Sequence, residues 1–171
     1  MNLAIALLAL AAFAAAPAQA ASLVDGLVGE WRGKGLTRER PGAPLERAAC
    51  RMTARAAGAA RIEVTGRCGT AGGTARFAIT LEKRSGGRVD AHASSPVLPG
   101  DVAYSGTASG NRIDFRAVAP LEIDGEAWSS RVVFAFNGAD AFAMVETATR
   151  AADGERQTFF DMRYRREAKP Q

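Results

Sequence analysis

Between residues 29 and 166 the chain keeps a two-residue hydrophobic alternation, broken at short intervals by turn-forming residues. Cys50, Met52 and Ala54 alternate with Arg51, Thr53 and Arg55, and Ile62, Val64, Gly66 and Cys68 alternate with Arg61, Glu63, Thr65 and Arg67. A period of two is the signature of a strand with one face buried. Strands are predicted near 29–38, 45–55, 61–69, 74–83, 88–95, 101–108, 112–119, 127–136, 141–149 and 157–166. Between them stand Pro41-Gly42-Ala43-Pro44, Gly72-Gly73, Gly86-Gly87, Gly110-Asn111, Asn137-Gly138 and Asp153-Gly154. No proline interrupts a proposed strand, as a hydrogen-bonded ladder requires. Residues 22–28 read as a short helix capped by Ser22, with Leu23 and Leu27 on one side. The class is all-β, an antiparallel up-and-down barrel of about ten strands with a short N-terminal helix; closure also removes the exposed edges.

The first twenty residues are different. Leu3 to Ala16 is an unbroken apolar run, followed by Pro17 and the small-x-small site Ala18-Gln19-Ala20. The run falls short of the roughly 20 residues of a spanning helix. Residues 1–20 read as a signal peptide, although no lysine or arginine precedes the run, and residues 21–171 as one barrel domain. The expected location is periplasmic or secreted, with no integral membrane segment once the signal is removed. An outer-membrane barrel is disfavoured, because a 7% aromatic content is thin for two girdles.

Two cysteines in an exported chain suggest one disulfide. Folding the chain back near residue 59 sets Cys50 opposite Cys68, Met52 opposite Gly66 and Ala54 opposite Val64. Both cysteines then share the apolar face, the condition for a cross-strand bridge. No Cys-x-x-Cys pair is present, which favours a structural role.

The turn at Asn137-Gly138 leaves two registers. A two-residue turn puts Phe134 on a face with Val145. A three-residue loop with a bulge puts Phe142, Met144 and Glu146 on the face of Phe136, Phe134 and Val132. The second is preferred, because it keeps Phe142 and Met144 out of water; it also turns Glu146 inward.

Gly29-Glu30-Trp31-Arg32-Gly33-Lys34-Gly35 opens the first strand after the short helix. This resembles the Gly-x-Trp opening of calycins, the lipocalin-like barrels, and in its longer form the nitrobindin-like ten-stranded barrels. The order and number of strands over residues 23–166 fit that group. The resemblance implies a basic residue of the last strand packed over Trp31, with Arg163 or Arg165 as candidates. In nitrobindin-like proteins a histidine near the last strand binds haem iron. Phe159 stands at about that place, so haem binding is not carried over and no cofactor is expected.

Catalytic constellations are not visible. His92, the only histidine, shares the polar face of its strand with Asp90 and Ser94. One histidine and a bridged cysteine pair leave no zinc or copper set, so no metal is expected. Glu122, Asp124 and Glu126 read as a solvated acidic loop, since their spacing lacks a full calcium-loop pattern. Glu146 has no visible partner for two-carboxylate chemistry. The net charge is +4, and all but three of the 22 basic residues are arginine. They are spread over the strands among acids, which reads as a solvated outer face, and nucleic acid is not an expected partner.

The reading is a barrel that binds a small apolar or amphipathic ligand rather than an enzyme. Phe77, Ile79, Phe115, Trp128, Phe134, Phe136, Phe142, Met144, Phe160, Met162 and Tyr164 would form the wall, with Glu146 or a tyrosine hydroxyl orienting the ligand. The alternative is a filled barrel acting on a protein partner through loops 38–45 and 96–100.

Overall fold

The computed structural model describes residues 23–96, 98 and 100–168. The expected signal peptide lies outside them. Eleven strands follow one another: β1 Gly29–Thr37, β2 Glu46–Ala56, β3 Arg61–Thr70, β4 Gly73–Lys83, β5 Arg88–Ser94, β6 Val102–Ser109, β7 Arg112–Ala117, β8 Leu121–Ile123, β9 Glu126–Phe136, β10 Ala141–Arg150 and β11 Arg156–Arg166. Each neighbour pairing is antiparallel. They run in chain order from β1 to β7, pass to β9, β10 and β11, and return from β11 to β1. Ten strands therefore close into an up-and-down barrel.

The strands fall where alternation placed them, with one exception. β8 was read as part of an acidic loop; instead it forms a hairpin with β9, pairing Leu121 with Trp128. The turn is Asp124-Gly125, with φ of 53° and 80°, the left-handed pair that a two-residue hairpin demands and that Asp-Gly supplies at low cost. Glu122, Asp124 and Glu126 are exposed on it.

Burial follows parity. In β2, Ala48, Cys50, Met52 and Ala54 are buried and their neighbours are not. Cys50 pairs with Cys68, Met52 with Gly66 and Ala54 with Val64, and the two sulfurs are bonded at 2.00 Å. Three inward glycines lie directly opposite aromatic residues: Gly33 and Tyr164, Gly66 and Phe77, Gly106 and Phe115. Each ring lies over the bare backbone. A Cβ on Gly33 would stand 2.5 Å from the Tyr164 ring, and one on Gly66 would stand 2.7 Å from the Arg51 carbonyl.

One end is plugged. The helical turn at residues 23–25 precedes β1 and buries Val24 and Leu27. The buried pair is thus Val24 and Leu27, where Leu23 and Leu27 were expected; Leu23 packs only partly against the core. A short turn presents i and i+3 to the barrel mouth it covers, and the Leu27 amide bonds back to the Val24 carbonyl at 3.1 Å.

Candidate functional site on the inner wall

The plugged end is an aromatic stack centred on Phe142. Its ring stacks on Tyr164 at 4.8 Å, lies 5.7 Å from Phe134 and 5.6 Å from Phe136, and meets Trp31 edge-on at 4.9 Å. The hairpin register produces this. Asn137 donates its amide to the Ala141 carbonyl at 2.9 Å, leaving residues 138–140 as the loop, and Phe142 pairs with Phe136, Met144 with Phe134 and Glu146 with Val132. Phe134, Phe136, Phe142 and Tyr164 are all buried here.

Trp31 donates its indole N–H to the Leu27 carbonyl at 2.7 Å. The cation over its ring is Arg166, 4.3 Å from the centroid, which corrects the expectation for Arg163 or Arg165. Met162 and Tyr164 face inward, so period two sends Arg163 and Arg165 outward and brings 166 back to the barrel end. The Arg163 side chain is 73% exposed. Arg166 also donates to the carbonyls of Val28 at 2.6 Å, Gly26 at 2.8 Å and Ala139 at 3.0 Å, tying the N-terminal turn to the β9–β10 hairpin.

The opposite end carries a second tryptophan under an arginine. Trp128 is fully buried, meets Phe159 edge-on at 6.3 Å and has Arg150 5.5 Å over its ring. Arg150 is held by Glu126, Asp153 and Glu155. Phe159 is available because β10 and β11 shift register after Glu146, which pairs with Phe160 while Thr147 pairs with Thr158. The extra residue is a β-bulge. The indole N–H of Trp128 has no hydrogen-bond acceptor among the described residues. Loop 38–45 is fastened at this end, where Gln157 accepts from the Arg38 guanidinium and the Gly42 amide, both at 2.9 Å.

Between the two ends lies a polar cluster. Ser130 is 3% exposed and donates to Glu146 Oε1 at 2.7 Å. The Tyr104 hydroxyl approaches Ser130 Oγ at 3.4 Å. Burial holds the Glu146 carboxyl above the ordinary glutamate range, and the Ser130 hydrogen bond offsets part of that rise. Burial, with the nearby Glu146 charge, pushes Tyr104 up to about 12. Glu146 faces inward because the 138–140 loop takes the register expected to keep Phe142 and Met144 out of water. Ser130 was missed, and a tyrosine hydroxyl was expected without Tyr104 being singled out, because β6 and β9 meet only through the register of β7; Ser130 does share the parity of Trp128 and Phe134, and that was its signal.

The wall opens beside this cluster. β7 stops pairing with β9 at Arg116 and Arg131, and β8 resumes only at Leu121 and Trp128. The missing rungs leave a crevice of about 490 Å³ at Ser129 and Ser130, walled by Arg116, Arg131, Thr147 and Arg156. Inside, Phe77, Ile79, Val132, Met144 and Phe160 face the core yet stay only partly buried. Among the sequence candidates, the structure groups Met144, Glu146 and Phe160 on the inner face of β10 and β11. It sets Trp128 at one end and gathers Phe134, Phe136, Phe142 and Tyr164 at the other. His92 is exposed on the outer face of β5.

Neither a protein-family profile nor a curated protein sequence matches the chain. Solved structures do match by shape. Rv2717c from M. tuberculosis superposes with a TM-score of 0.65 at 16% identity, over 87% of this chain and 98% of that one. The S-type phycobiliprotein lyase CPES from Guillardia theta gives 0.57 at 13% identity, over 87% and 93%. EF1p2_mFAP2b bound to DFHBI gives 0.50 at 8% identity, over 86% and 98%. With its closed ten-strand antiparallel barrel, opened by Gly29-x-Trp31 and capped by an arginine of the last strand, the chain has the calycin-like fold.

Proposed function

We propose that the barrel binds a small amphipathic ligand on its open inner wall, with the polar head of the ligand at Ser130, Glu146 and Tyr104. One observation carries this reading: a hydrogen-bonded polar cluster faces the barrel interior, beside inward apolar side chains that are only partly buried. A closed, filled core would bury those apolar side chains fully and would hold a carboxyl only at a desolvation cost. Phe77, Ile79, Val132, Met144 and Phe160 would take the apolar part. A ligand oxygen reaching the far end would give the Trp128 indole its missing acceptor. The shape likeness to a barrel holding DFHBI supports the same reading. Among the described residues no group of three or more His, Cys, Asp or Glu side chains converges. The apolar leader and the disulfide support export to an oxidising compartment.

The test is native mass spectrometry of the protein purified from its host, with solvent extraction of whatever comes with it. A stoichiometric small molecule that is retained by Phe142→Leu and lost in Ser130→Leu, both folded, is the expected result. A protein that is empty from its host and takes up no fatty acid or bilin-sized probe in titration sinks the reading.

A further inference from the structure

The arginines that seemed evenly spread are brought into line by the strand registers. Arg165 of β11 pairs with Arg32 of β1, Arg32 with Arg51 of β2, Arg51 with Arg67 of β3, and Arg67 with Arg76 of β4. Five neighbouring strands thus present directly opposed arginines, all exposed on the outer wall. At a strand spacing of about 4.8 Å the row runs for about 19 Å around the barrel. One rung away, Arg163 pairs with Lys34. Like charges placed directly opposite one another destabilise a sheet, so the row is a liability unless something anionic covers it.

The protein itself neutralises little of it. Arg32 is paired with Glu167. Arg67, Arg76 and Arg165 form no ion pair with a carboxylate among the described residues, and Arg51 forms none but lies within the field of Glu167. The acids nearest the row are Glu167, Asp161 beside Arg163 at 3.7 Å, and Glu30 on the flanking rung. The remaining flanking positions are small or hydroxylic: Ala49, Gly69 and Thr74 on one side, Thr53, Thr65 and Ala78 on the other. The row starts in a depression of about 890 Å³ whose lining includes Arg32, Lys34, Arg163, Arg165 and Arg166 with one carboxylate, Glu167.

We infer that this wall binds a linear acidic polysaccharide, a chain of sugars bearing carboxylate or sulfate groups, laid along the arginine row with one end in the depression. Guanidinium groups grip carboxylate and sulfate in a bidentate fork. The threonines on the flanks suit sugar hydroxyls. The row holds no aromatic side chain on which bases would stack, which argues against single-stranded nucleic acid. The wall is convex, so a flat bilayer would touch only part of the row, while a flexible chain can follow all of it. This inference concerns the outer face and stands independently of the interior site.

Heparin and polygalacturonate serve as probes, by calorimetry at low and moderate salt. The expected result is that Arg51→Ser/Arg67→Ser/Arg76→Ser weakens binding of both by about tenfold or more, while its melting temperature stays at or above that of the parent. The charge-matched control Arg40→Ser/Arg88→Ser/Arg112→Ser should change binding less than about twofold. Equal losses in the two triple variants reduce the effect to net charge and overturn the proposal. So does row-dependent binding of duplex DNA or phosphatidylglycerol vesicles that is tighter than heparin at the same salt, and so does no binding by the parent. If the first triple variant fails to fold, Arg51→Gln/Arg67→Gln is read by the same criteria.

Discussion

Glu146 carries a carboxyl that faces the barrel interior. Its carboxyl is buried and its pKa raised. For an acid with a raised folded-state pKa, the neutral form is favoured in the fold. The stability penalty is absent below the unfolded pKa, grows as pH rises through it, and levels off above the folded pKa. Each unit of upward shift costs about 1.4 kcal/mol at neutral pH. Glu146→Gln should therefore melt higher than the parent at pH 7 and equal to it at pH 3. A denaturation series over that range checks the sign, and a variant less stable at pH 7 than at pH 3 relative to the parent contradicts it. The opposite lesson comes from the last strand. Arg166→Ala removes a ring contact and several carbonyl partners, an expected loss of about 2–3 kcal/mol. Arg163→Ala and Arg165→Ala should stay within about 0.5 kcal/mol of the parent in urea titrations. Counting parity from Tyr164 would have named Arg166 from the sequence. The family resemblance pointed to a basic residue of the last strand, but only alternation decides which one faces the tryptophan.

Among the elements, the paired strands show where local rules suffice and where they fail. The β2–β3 hairpin was legible down to its register, because parity puts Cys50, Met52 and Ala54 on one face with Val64, Gly66 and Cys68, and the cysteine pair selects the offset that sets Cys50 opposite Cys68. At Gly66 the packing leaves no room: Gly66→Ala drives a methyl towards the Arg51 carbonyl and the Phe77 ring. We expect a loss of about 1–3 kcal/mol, measured by chemical denaturation. Gly58→Ala, in the turn of the same hairpin with open space around it but φ of 134°, should lose stability through backbone strain alone. The β10–β11 bulge was not legible. Nothing in the residues 156–160 marks Phe159 as the inserted residue, since its turn inward towards Trp128 depends on β10 shifting register beside it. β8 sits between these cases: Asp124-Gly125 was a hairpin signal, hidden by the acids around it.

At the level of the whole molecule, closure makes the two cysteines a staple between neighbouring strands of one wall. Their bridge spans 18 residues, which in the chain-entropy account stabilises by roughly 3 kcal/mol. Reduction with dithiothreitol, or Cys50→Ala/Cys68→Ala, should lower stability by about that amount and leave the barrel folded; circular dichroism and denaturation together check both halves of the expectation. The same closure separates the chemistry into compartments. The aromatic stack seals one end, the Ser130–Glu146–Tyr104 cluster lies where the wall is interrupted, and the arginine row occupies the outside.

What the sequence determined alone was set by local physics: strand positions by period two, turns by glycine and proline, the inward faces by parity, and the bridge by a single short hairpin. What only the tertiary structure decided depends on several registers acting in series. Tyr104 reaches Ser130 only because β7 pairs with both β6 and β9, and five arginines share one line only because four successive pairings keep them opposite. Each register is fixed by the summed packing of a whole strand pair, so a shift of one rung anywhere along that series would have dispersed the line, and no local stretch of the chain records it.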